Sequence, residues 1–180
     1  MMRSRFACIT ALAVAFGTAP LAGALCPREA QAQPADDPIK NVARERFQDG
    51  VKAYDAGKYE EARQAFNQAY KLSQSPAVLL NLGLAEVKLK AYVDGGNHLT
   101  RFLREQKDIA PDQRATAQAN IEECKKNAAQ VAIGVDAAGA DVTIDGTSVG
   151  KSPVSDAVFV EPGTRAIVAT LGGRSASSTV

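Results

Sequence analysis

A chain of 180 residues has room for one or two small domains, and 21 basic against 20 acidic residues give a net charge of +1. That balance provides no electrostatic footprint for nucleic acid. Cys8 and Cys26 stand near the start and Cys124 stands alone in the body, so no internal disulfide staples the body together.

The opening has the layout of a secretory signal. Arg3 and Arg5 form a basic start, and Phe6 to Leu25 is apolar, interrupted by Gly17, Pro20 and Gly23. Ala30-Gln31-Ala32 then provides the small-x-small pattern of a cleavage site. An uncleaved anchor is the plainer alternative, because about 20 apolar residues can span a bilayer. Cleavage after Ala32 removes three arginines and one glutamate and leaves 18 basic against 19 acidic residues. No later stretch is apolar enough to span a membrane, and residues 33–37 read as a flexible leader.

Asp37-Pro38 supplies a helix cap and a proline at the first helical position, where its missing N–H costs nothing. Ile39, Val42, Ala43, Phe47, Gly50, Val51 and Tyr54 then recur at helical spacing until Gly57 closes the helix. Tyr59, Ala62, Phe66 and Ala69 stripe a second helix, which the short connection at Gly57 makes antiparallel to the first. Ser75-Pro76 repeats the cap-and-proline start. The helix that follows, Ala77 to Lys90, is apolar round most of its circumference, so it belongs in the middle of a stack. Its partner carries Tyr92, Leu99, Phe102 and Leu103, with Gly95 and Gly96 inside it as places where another helix comes close. Pro111 opens a last helix with Ala117, Ile121, Cys124 and Ala128 on one face, and this helix covers the final exposed apolar surface.

Phe47, Gly50, Tyr54, Tyr59, Ala62, Phe66 and Ala69 reappear 33 residues later as Leu80, Gly83, Val87, Tyr92, Gly95, Leu99 and Phe102. Periods of this size mark stacked helix pairs with an extended surface for a partner. From Val131 the period becomes 2. Val131, Ile133 and Val135 alternate, then Val142 and Ile144 run into the turn Asp145-Gly146. Val158 and Val160 follow, and Arg165 to Leu171 forms a fourth strand ending at Gly172-Gly173. Ser175 to Val180 begins a further strand that stops before it can finish.

The run from Phe47 to Ala69 resembles a tetratricopeptide repeat, and Leu80 to Phe102 resembles a second copy. The resemblance covers residues 38–130. It implies two antiparallel helix pairs with a capping helix that bind a peptide or protein and perform no catalysis. Residues 131–180 look like a PEGA domain, carried by Ala140 to Gly146, Gly150 to Pro153, and Val158 to Gly163 leading into Arg165 to Leu171. That implies a small antiparallel, sandwich-like β-module of bacterial envelope proteins, here incomplete. The expected fold class is therefore α+β and multidomain. The expected setting is the periplasm or the cell exterior, with residues 1–32 as the signal.

Candidate groove residues on the first helices of the pairs are Phe47, Val51, Tyr54, Asn81, Leu84 and Lys88. In tetratricopeptide proteins an asparagine matching Asn81 bonds the backbone of a bound peptide, because its amide donates and accepts at once. An Asn81 satisfied by a neighbouring helix is the plainer reading. His98 is the only histidine; it is expected on the wet side of its helix, without a carboxylate partner, and makes a poor metal site. Cys124 reads as a small buried hydrophobe. Asp136, Asp141 and Asp145 lack the dense spacing of a calcium loop and read as turn chemistry. No cofactor or metal is expected, and an envelope component is a candidate second partner. A cell-wall or glycan-binding protein that uses the β-module, with the helices as support, is the alternative.

Overall fold

The computed structural model describes residues 37–180, and Asp36–Val180 form one compact unit. The expected signal at 1–32 and most of the leader lie outside the described residues. Helix α1 (Pro38–Asp55) starts as expected, with the Asp37 carboxylate accepting from the N–H of Ile39 at 3.0 Å. Helix α2 (Tyr59–Ser73) follows a turn in which Gly57 takes φ 74°. Helix α3 (Pro76–Lys88) has Ser75 at its cap position but no side-chain cap bond. Instead the Ser73 hydroxyl accepts from the N–H of Ser75 and donates to the Ala69 carbonyl. Helices α4 (Tyr92–Glu105) and α5 (Pro111–Asn127) complete the stack.

The repeat is visible in the contacts as well as in the letters. A Cβ built on Gly50 would lie 2.6 Å from the Phe66 ring, and one built on Gly83 would lie 2.7 Å from Leu99. Each first helix therefore meets its partner over a glycine, with the 33-residue offset preserved at both partners. Ala62 and Ala69 in the first pair, and Gly95 and Phe102 in the second, are all buried. Each helix packs on the next, while α1 also meets α3 and α3 meets α5, so the odd-numbered helices line one side. α3 sits in the middle, as its apolar circumference requires.

The strands form two antiparallel sheets. β1 (Ala129–Val131) pairs with β4 (Val158–Val160), and β3 (Thr147–Lys151), β2 (Asp141–Ile144), β5 (Ala166–Leu171) and β6 (Arg174–Thr179) follow in that spatial order. Three expectations are corrected. The first strand ends at Val131, and Ile133 and Val135 instead pack from a loop against Val142, Ile144, Val160 and Ile167. β3 has no counterpart in the alternation. β6 also pairs with β5 along its whole length, from Arg174 opposite Leu171 to Thr179 opposite Ala166.

The helices and strands share a core. Phe159, 1% exposed, belongs to the helical cluster with Phe66, Leu79, Leu99 and Phe102. A Cβ on Gly96 would lie 2.7 Å from its ring, so the close neighbour there is a strand and not the expected helix. Two successive turns of α4 supply the rest of the joint. The Asn97 side chain accepts from the N–H of Phe159 at 2.8 Å and donates to its carbonyl at 3.0 Å, occupying the open edge of β4 as another strand would. Arg104 adds an ion pair to Asp156 at 2.8 Å.

Candidate functional site

The six candidate residues lie on α1 and α3, three on each helix. Phe47, Val51 and Tyr54 lie at successive turns of α1, half-buried at the margin of the helical core. Two of these rings are already engaged. Phe47 tilts against Phe66 at 5.5 Å between centroids, and Tyr54 meets Tyr59 edge-on at 5.2 Å. They form walls rather than free anchors. Burial holds the Tyr54 phenol above its usual 10.0, with Tyr59 and Asp55 adding to the shift.

On α3, Leu84 is half-buried against the same core, and Lys88 is exposed at the last turn. Asn81 is half-buried, and among the described residues its amide makes no hydrogen bond. An amide held on a packed helix with both its donor and its acceptor available can meet a peptide group in either direction.

One cleft is lined by both helices. It encloses about 260 Å³, lined by the apolar Ala43 and Phe47 of α1 and Ala77 and Val78 of α3 together with Lys40, Arg44, Ser73 and Ser75. The cleft sits a turn earlier on α1 than the six candidates indicate. The signal for it was present in the sequence, since Lys40 and Arg44 flank Ala43 at a spacing of four, on one helix face.

Comparison with known proteins adds nothing to this geometry. No family model, curated protein or solved structure matches the chain.

The sequence reading missed one buried polar pair. Glu86, 4% exposed, lies inside α3, and its carboxylate stands 2.7 Å from Nδ1 of His98 on α4. His98 is thus partly enclosed and has the carboxylate partner the sequence did not reveal. Burial raises the Glu86 carboxyl above its usual 4.5, and the hydrogen bond from His98 opposes that; Asp94 adds to the rise and Arg63 opposes it. The available signal was a single carboxylate in a mostly apolar helix.

Cys124 is buried, and the loss of solvation pushes its thiol up to about 11, where little nucleophilic thiolate exists. Asp145 serves a turn: its carboxylate accepts from the N–H of Ala166 at 2.9 Å and pairs with Arg165 at 3.0 Å. Those two bonds, the backbone one first, hold its carboxyl below the usual 3.8. Asp141 pairs with Lys151 at 2.6 Å.

A second cleft, of about 480 Å³, lies where α4 and α5 meet the β-strands. Thr100, Gln118, Gln130 and Lys125 supply polar walls over Leu103 and Ile121, and the Arg104–Asp156 pair borders it. No helix among the described residues is long and apolar enough to cross a membrane.

Proposed function

We propose that this chain is an exported, non-catalytic binding protein of the bacterial envelope. A tetratricopeptide-like stack captures a peptide or protein segment on the α1/α3 face, and a PEGA-like module is fixed to α4. The observation that carries this reading is the half-buried Asn81 amide, without a hydrogen bond among the described residues, on the same helix as the cleft at Val78. An amide of this kind recognises extended backbone, and the adjoining cleft takes an apolar side chain. Such a protein acts as an adaptor or scaffold between its partner and the envelope.

Peptide-display selection against the unit Asp36–Val180 tests it. Recovered peptides should lose at least tenfold in affinity on Asn81→Ala and on Phe47→Asp, with the helical signal retained. A selection that yields no binders, or binders indifferent to both changes, would refute it.

The polar cleft at the joint favours a second reading, in which a glycan or cell-wall fragment binds beside the β-module. Muropeptide binding that fails in Gln118→Ala and survives Asn81→Ala would establish this alternative.

A further inference from the structure

Sheet edges expose unpaired N–H and C=O groups, and folded proteins normally blunt them. Three of the four sheet edges among the described residues are managed. β3 is bulged against β2 between Val142 and Thr143, carries Gly150 at φ 121°, and ends in Lys151 paired to Asp141. The open side of β4 is closed by Asn97 at Phe159. β1 spans only three residues. β6 has little of this: all six of its residues are exposed, its register with β5 is unbroken, it contains no proline and no acidic residue, and its one charge, Arg174, stands at its first position.

The register fixes which groups point outward. Arg165 and Val180 exchange both backbone hydrogen bonds, at 2.8 and 3.0 Å. In an unbulged antiparallel ladder bonded pairs alternate, so Ile167–Ser178, Ala169–Ala176 and Leu171–Arg174 are also bonded pairs. The N–H and C=O groups of Ser175, Ser177 and Thr179 therefore point away from the sheet.

We infer that β6 pairs antiparallel with β6 of a second copy, about a two-fold axis through Ser177. This register sets Ser177 opposite itself and Ser175 opposite Thr179, so every outward backbone group of the three residues finds a partner. A shift by one residue would pair each outward group with one that is already bonded and would turn the side chains to the wrong face. The charges also fit. Arg174, the only charged residue of β6, falls opposite Val180 of the second copy rather than opposite another arginine. Leu171, 46% exposed, and Val180, 55% exposed, share that face, and each copy's arginine stem lies between the two across the joint. The closed symmetry limits assembly to a dimer. A six-residue edge is smaller than a standard interface, so the dimer is weak.

Sedimentation velocity on Asp36–Val180, from about 1 μM to about 300 μM, is expected to show a reversible monomer–dimer equilibrium near the micromolar range. Ser177→Pro removes an outward N–H, a change edge strands tolerate, and should leave a monomer with unchanged circular dichroism. Ser177→Cys should cross-link to itself on oxidation, since a bonded antiparallel pair sets the Cα atoms about 5.5 Å apart, within disulfide reach. Ala176→Cys faces Ser178 of the second copy in this register and should not. A chain that stays monomeric to the highest concentration overturns the inference and leaves the edge to a strand of another protein. A dimer that survives Ser177→Pro, or fails to cross-link through Ser177→Cys, overturns it equally.

Discussion

Asn97→Ala tests the joint between helices and strands most directly, and its expected cost is about 2–4 kcal/mol. The native amide satisfies both backbone groups of Phe159, at 2.8 and 3.0 Å. Alanine reaches neither, so one N–H and one C=O are left beside a residue that is only 1% exposed. A buried polar group without a partner costs about 1–3 kcal/mol, and two such groups with water close on one side fall in the lower half of the doubled range. Urea denaturation followed by far-UV circular dichroism measures the loss, with the slope checked against wild type. Amide exchange at Phe159 supplies the local readout, since its N–H donates to the deleted oxygen. A stability change under about 0.5 kcal/mol, the range of an ordinary surface substitution, together with unchanged protection at Phe159 would refute the reasoning.

Other outcomes follow from the same geometry. Lys90 holds φ 62° where Gly57 holds 74° one repeat earlier, so Lys90→Gly should relieve backbone strain and stabilise the chain by about 0.5–1 kcal/mol, read as a rise in Tm. Glu86 has its carboxyl raised above 4.5, chiefly by burial, so the folded chain holds that proton more tightly than the unfolded chain does. The stabilisation from this proton is complete below the unfolded value and is lost as pH rises through the folded one. Wild type should therefore lose stability relative to Glu86→Gln over that window, and a difference that stays flat or grows with pH would contradict the assignment. Cys124 should resist iodoacetamide in the native chain and react promptly in denaturant, as its burial and raised thiol require.

The helical half was legible because its glycines perform a visible task. Gly50 and Gly83 recur at the repeat offset, and each admits a large side chain that a Cβ would strike. The β-half was harder to read, for local reasons. β3 contains Thr147, Ser148, Val149, Gly150 and Lys151, a single large apolar residue among polar ones, and Gly150 leaves ordinary strand geometry at φ 121°. Phe159 was hidden by the alternation itself. Val158 and Val160 mark the face toward the other sheet, which assigns Phe159 to the side that faces water in an isolated sandwich. Here that side is covered by α4, and Gly96, far away in sequence, makes space for the ring. The groove candidates were legible as positions on helices, but the engagement of Phe47 by Phe66 and of Tyr54 by Tyr59 depends on how the pair closes. Glu86 and His98 were each visible, yet nothing in their spacing indicated that α3 and α4 would bring them together.

The shared ring at Phe159 also sets an order in time. Asn97 and the residue it holds are 62 positions apart, so a chain delivered from its N-terminus completes α4 long before the ring that fills the space beside Gly96 arrives. At synthesis rates of about 5–20 residues per second the interval is several seconds, during which the ring that packs beside Gly96 is missing. Any truncation between α5 and β4 makes that interval permanent. The five helices are thus a nascent state that waits for its last core residue, and the strands provide it.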